Sequence, residues 1–205
     1  MRKIFIYLAL CCALFANEAK YYELKSPLNN KENSLIEIFS YSCIHCYAHF
    51  KEKTLEKIHS KLPNLNIEYK VVKSWDLFAN RLALILAYAK YKDEQNNANF
   101  SNGLYAKIIQ SYFNEVFIKK NNFNNNVNNF EKIGLNILKI SKKQLEKFKT
   151  SNIAQGILND LDKSDAIANE YGTPSFIVNG KYIINLNAVH SVDDFVNIIN
   201  EINEK

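Results

Sequence analysis

One stretch restricts the fold more than any other. Leu35-Ile-Glu-Ile-Phe39 is an apolar run of strand length interrupted only by Glu37, and Ser40-Tyr-Ser-Cys43-Ile-His-Cys46 follows at once. From Tyr47 the period becomes helical: Phe50, Leu55, Ile58 and Leu62 fall roughly on one face, until Pro63 and Asn64 stop the helix. Residues 67–72, IEYKVV, then alternate with β-branched residues and read as a second strand. Strand, turn, helix and strand in this order open a βαβ unit, with two cysteines in the turn between strand and helix.

From Asp76 to Tyr171 the pattern is almost wholly helical. Leu82, Ile85 and Leu86 mark one segment, Leu104, Ile108, Ile109 and Tyr112 another, and Leu135 and Leu138 a third. Residues 121–130, NNFNNNVNNF, read as a low-complexity surface linker. Ser151 opens a last helix of this block, with Ile153, Ile157, Leu161 and Ala168 expected on its buried face and Gly172 at its end. The period then changes to two. Ser175–Val178 and Tyr182–Ile184 are strands joined across Asn179-Gly180, a strong hairpin signal, and Ser191 starts a closing helix that would bury Phe195, Ile198, Ile199 and Ile202. The class is α/β, with a large helical insertion between the second strand and the hairpin.

The first residues, MRKIFIYLALCCALFA, place Arg2 and Lys3 before an apolar run from Ile4 to Phe15. About a dozen apolar residues are too few for the ~20 that span a bilayer as a helix, so residues 1–16 read as a secretory signal cut after Ala16. A lipid anchor on Cys11 or Cys12 is the rival. The residues before them, Leu10 and Cys11, are not the small ones such signals carry. Removing the signal lowers the net charge from +5 to +3, because Arg2 and Lys3 leave, and a nucleic-acid partner loses its main support. Of the chain's four cysteines, two then remain in a compartment where thiols tend to oxidise.

Those two, Cys43 and Cys46, admit several chemistries. As a structural staple a CxxC bridge closes a very short loop and constrains the unfolded chain little. Covalent haem attachment requires histidine after the second cysteine, where Tyr47 stands. A zinc or copper site has Cys43, Cys46 and His49 as possible ligands; His59 and His190 lack ligand-like spacing for a fourth. His49 reads as an ordinary helix-face residue. Redox chemistry fits the position best: a cysteine at a helix N-terminus meets unpaired N–H groups and the positive end of the helix dipole, and its pKa falls from ~8.5 into the range ~3.5 to 7.5. Cys43 is therefore the expected nucleophile. Cys46, one turn later, is placed to close a disulfide with it, and His45 between them adds a donor and, when protonated, a charge near the Cys43 sulfur.

Far away in sequence, residues 172–180 read GTPSFIVNG, with Pro174 directly before a strand. A strand-start proline is tolerated in any fold because no N–H is needed there. FSYSCIHCY, GTPSFIVNGKY, the helical block between them and the leader together resemble the DsbA family of bacterial periplasmic thiol:disulfide oxidases, in the thioredoxin superfamily. The resemblance spans roughly Tyr21 to Ile202. It implies a thioredoxin-like domain of residues 17–75 and 172–205 with an inserted helical domain of residues 76–171. A low-pKa cysteine and a strongly oxidising disulfide are properties of that family, and are inherited here rather than read from spacing.

The resemblance also implies roles. Cys43 matches the attacking cysteine, Cys46 its buried partner, and His45 the histidine of the family's CPHC. Pro174 matches a cis-proline that brings Thr173 beside the disulfide, where its backbone pairs with substrate. Glu37 matches a buried acid that relays a proton to Cys46, although a strand glutamate also faces solvent in many folds. Two positions depart from the family: Ile44 stands where proline is commonest, and Thr173 where the best-known members have valine. The implied activity is an exported, monomeric, cofactor-free oxidase that passes its disulfide to newly secreted proteins and is reoxidised by a DsbB-like quinone-linked membrane protein. A reductase or isomerase could use the same motif, but the superfamily's dimeric isomerases carry an N-terminal domain for which Ala16 to Leu35 leaves no room.

Overall fold

The computed structural model describes residues 19–29 and 32–205; the leader and its cysteines lie outside the described residues. Within them, β1 (Tyr21–Glu23), β2 (Ser34–Phe39), β3 (Asn66–Val71), β4 (Ser175–Val178) and β5 (Tyr182–Ile184) form one sheet in the order β1-β5-β4-β2-β3. β2 and β3 pair in parallel, Leu35 opposite Ile67 and Phe39 opposite Val71, and the other pairs are antiparallel. The crossover between β2 and β3 is helical: α1 (Ile44–Lys51) and α2 (Thr54–Lys61).

β2 lies between β4 and β3 and is buried along its whole length. Because side chains alternate across a strand, Leu35, Glu37 and Phe39 share one face and Ile36 and Ile38 the other. Leu35 and Phe39 join a core with Cys46, Leu55 and Ile58 of α1 and α2 and with Phe195, Ile198 and Ile199 of the closing helix α8 (Val192–Asn203). Ile36 and Ile38 join Ile177, Ile183, Ile167 and Ala168 in a second core beneath α7 (Asn152–Tyr171). A strand covered on both faces reads as a continuous apolar run, which is why Glu37 stands out in it.

Between β3 and β4 lie α3 (Leu77–Gln95), α4 (Leu104–Phe113), α5 (Val127–Leu138), α6 (Lys142–Lys149) and α7. α3 is buried nearly all round, from Ala79 through Leu82–Ala87 to Ala89, with α4, α5, α6 and α7 packed about it. The hairpin turn is set by Asn179 (φ 54°) and Gly180 (φ 66°), with Lys181 N–H on the Val178 carbonyl at 3.0 Å, the geometry that matches strand twist. A Cβ on Gly180 would also stand 3.2 Å from the Leu28 carbonyl.

Four expectations need correction or completion. The single helix read from Tyr47 to Leu62 is two, broken at Glu52 and Lys53, where Lys53 is left-handed (φ 54°, ψ 44°). In a straight helix of ~100° per residue, Leu55 would lie about 180° round from Cys46, and one of the two would face solvent. The break lets both reach the core, each at most 1% exposed. The asparagine-rich segment is no plain surface linker. Phe123 and Phe130 are buried and in edge contact at 4.9 Å, while Asn122 and Asn126 accept backbone N–H groups of the following turns. On α7, Ser151 does cap and Gly172 (φ 82°) does end the helix, but Ile153 is half exposed and Ile157 is not buried. Ala154, Leu161, Ser164, Asp165 and Ala168 form the inner stripe instead, with Asp165 accepting the Lys73 N–H at 2.8 Å. The three-residue β1 was not expected from the local pattern.

Candidate active site

β2 delivers the chain to a tight turn in which Cys43 N–H bonds the Ser40 carbonyl at 3.1 Å. Cys43 is then the N-cap of α1: its backbone is extended (φ −85°, ψ 114°), and its sulfur accepts the Cys46 N–H at 3.1 Å. The sulfur thus holds the place that a serine or aspartate oxygen fills at most helix starts. Cys43 and Cys46 form a disulfide with their Cα atoms 5.2 Å apart. Cys46 is fully buried and Cys43 only partly, so an incoming group meets the Cys43 sulfur first.

The pairing of Ile38 with Ser175 brings the start of β4 alongside this turn. The Thr173–Pro174 peptide is cis, and the Thr173 carbonyl oxygen is 3.3 Å from the Cys43 sulfur. Sequence positions 130 apart therefore meet at one atom. Ser175 Oγ donates to the Gly172 carbonyl at 2.8 Å, tying the loop to the end of α7. Ile44 and His45 occupy the exposed side of the first turn of α1, with Ile44 53% exposed.

Glu37 is 2% exposed on the sheet face that α1 and α2 cover, and sits opposite Tyr69 in the parallel pair. Burial, with the charge of Glu56 adding to it, pushes its carboxyl from an ordinary 4.5 up to about 8. Near neutral pH it is mostly a neutral acid with a proton to give. His49 is not a bystander on the helix face. Its Nδ1 meets Thr54 Oγ1 at 3.2 Å across the break between α1 and α2, and its ring packs on Phe176 and Phe195 at 5.1 and 6.3 Å. Burial and the nearby His45 hold its pKa below the usual histidine value.

Other side chains frame the site without a motif that marks them in the sequence. Tyr41, two residues before Cys43, is buried against Phe130 and donates to Asp76 at 3.1 Å. Tyr47 stacks on Phe117 at 4.9 Å, joining the redox helix to the turn after α4. The only local signal was an aspartate at the start of the first insert helix. Beside Pro174, Tyr22, Tyr171 and Leu186 help line a cleft of about 220 Å³. No helix among the described residues is long and apolar enough to cross a membrane.

No family model matches the chain. Its fold and its helix-capping cysteine pair are similar to those of DsbA-type thiol:disulfide oxidoreductases of the thioredoxin superfamily. Within that class, the thiol:disulfide interchange protein DsbL of Escherichia coli O6:H1 is 25% identical over 198 residues, covering 93% of this chain and 88% of the relative. The crystal structure of DsbL from Salmonella enterica serovar Typhimurium superposes with a TM-score of 0.83 at 22% identity, over 93% of this chain and 98% of that one. A DsbA from Klebsiella pneumoniae gives 0.69 at 19% identity, over 90% and 95%.

Proposed function

We propose that this chain is an exported disulfide oxidase that works as a monomer in the periplasm, after residues 1–16 are removed. Residues 17–75 with 172–205 serve as the redox domain, and 76–171 as the inserted helical domain. The observation that carries the reading is the placement of the Cys43 sulfur, partly exposed, on the N-terminus of α1 and 3.3 Å from the Thr173 carbonyl, with Cys46 sealed behind it.

A client thiolate attacks the Cys43 sulfur, forming a mixed disulfide and expelling Cys46 as a thiolate. Glu37, holding a proton up to about pH 8, supplies the proton that Cys46 takes up. The client's second thiolate then attacks the client sulfur of the mixed disulfide and expels Cys43. The client has lost two electrons and gained a disulfide, and the enzyme is a dithiol. The helix N-terminus and the Cys46 N–H, with His45 as a further hydrogen-bond donor, stabilise the Cys43 thiolate, which makes it a good leaving group and the enzyme disulfide oxidising. The Thr173 backbone beside cis-Pro174 pairs with an extended client strand, and the cleft next to Pro174 receives its side chains. A DsbB-like quinone-linked membrane protein takes the two electrons and restores the disulfide.

Redox titration against glutathione tests this. The expected potential lies well above the ~−270 mV of thioredoxin, and a thioredoxin-like value would replace the oxidase with a reductase.

A further inference from the structure

A groove of about 510 Å³ runs behind the redox helix, between the α1–α2 break and α4. Its floor is aromatic: Phe113 of α4 meets Tyr47 and Phe50 of α1 at 5.7 and 5.4 Å. Its walls are cationic. On α1, Lys51 follows Tyr47 and Phe50 at the spacing that puts all three on one face; Lys107 and Gln110 of α4, with Asn114 just after it, do the same. Lys53 lines the groove from the left-handed break itself.

Exposed lysines usually amount to a solvated surface, but here three converge from two distant segments on one concavity. None of the three forms an ion pair among the described residues. The neighbouring acids are engaged elsewhere, Glu52 with Lys57 and Glu115 with Lys119, which leaves Glu56 as the one acid lining the groove.

We propose that this groove holds an acidic, extended segment of the client polypeptide while its cysteine is engaged at Cys43. The inference rests on the oxidase reading and names the clients it favours. Carboxylates match the lysines, client side chains pack on the aromatic floor, and the amides of Asn102, Gln110 and Asn114 offer both donors and acceptors to a peptide backbone. A small inorganic anion would use only the lysines. Lys51 lies about 12 Å along α1 from Cys43 at 1.5 Å per residue, or roughly four residues of extended chain. Acidic residues about four or more positions from the client cysteine are therefore the ones selected.

The test is binding of two fluorescent, cysteine-free peptides to the intact oxidised protein, read by anisotropy. One carries alternating glutamate and tyrosine, the other glutamine in place of each glutamate. The glutamate peptide should bind at least about tenfold tighter at low salt, as several exposed ion pairs acting together allow, and lose that advantage at high salt. Lys51→Gln with Lys107→Gln should remove most of the preference. Lys51→Arg with Lys107→Arg should keep it, as should Lys132→Gln with Lys143→Gln on the insert. Equal binding of the two peptides, or an equal loss in the insert variant, overturns the proposal. So does binding of phosphatidylglycerol vesicles through the same lysines with no peptide preference. Because neither peptide has a cysteine, failure here is separate from failure of the oxidase reading, which the glutathione titration decides.

Discussion

The Tyr41 hydroxyl donates to Asp76 Oδ2 at 3.1 Å, while Oδ1 of the same carboxylate accepts the Ala79 N–H at 2.7 Å. One side chain thus caps the first insert helix and holds the turn two residues ahead of the redox disulfide. Burial and the Asp76 charge keep the Tyr41 phenol above its ordinary pKa, so it remains a donor throughout the physiological range. Tyr41→Phe should cost roughly 1.5–3 kcal/mol, the range for a bond to a charged acceptor. Asp76→Ala, which also loses the cap, should cost about 1 kcal/mol more. Urea unfolding of both single variants and the double variant checks this, and strictly additive losses would deny the coupling.

Glu37 ties stability to pH. Its folded pKa is raised from 4.5 to about 8, so the folded state holds a proton that the unfolded chain releases between those values. Its favourable contribution is complete below about pH 4 and is lost as pH rises through about 8. Glu37→Gln removes that dependence. Relative to wild type, the oxidised variant should gain several kcal/mol between pH 5 and pH 8.5, as the ~1.4 kcal/mol per pKa unit allows. Denaturant midpoints across that range measure it, and parallel curves for the two proteins would count against a buried neutral acid. The same substitution should slow release of Cys46 in stopped-flow oxidation of a dithiol peptide.

Ile44 is the first residue of α1 and 53% exposed, so its side chain contributes little packing. Proline is accepted at that position because the N–H there has no helical partner. Ile44→Pro should leave stability within about 1 kcal/mol and lower the potential by roughly 10–30 mV, since one donor near the Cys43 sulfur is lost. A rise in potential on glutathione titration would refute this account of the helix terminus.

Lys53 holds a left-handed backbone with no side-chain cap of its own. Lys53→Gly should raise stability by about 0.5–1 kcal/mol through relief of the Cβ contact, less the added freedom of the unfolded chain. A destabilised glycine variant in thermal melts would mean that the lysine side chain supports the break.

Much of this molecule is written in local pattern. β2 follows from its short apolar run, β3 and the 175–184 hairpin from a two-residue period and from Asn179-Gly180, and Ser151 and Ser191 both cap helices as their positions suggest. Other features depend on contacts that no window of sequence contains. A lysine has no preference for the left-handed region that would mark the break at 53; the conflict between the buried faces of Cys46 and Leu55 imposes it. Whether Glu37 faced solvent was undecidable from strand parity, because α7 covers one face of β2 while α1, α2 and α8 cover the other. Phe123 and Phe130 looked like drift among asparagines, and their burial depends on Phe78 and Tyr112 from other helices. The Cys43–Thr173 approach was legible only through resemblance, and of the Tyr41–Asp76 bond only the aspartate at the start of the first insert helix.

β1 has a consequence for how the molecule comes into being. Tyr21 pairs with Ile184, Leu24 N–H bonds the Lys181 carbonyl at 2.8 Å, and Leu28 N–H bonds Gly180 at 2.8 Å. A chain delivered N-terminus first presents this edge at the outset, yet its partner arrives more than 150 residues later. Until then the segment has nothing to pair with, and loop closure over such a span is slow. The edge of the sheet is thus the pairing that the topology makes available last, and it is made by the residues that emerge first.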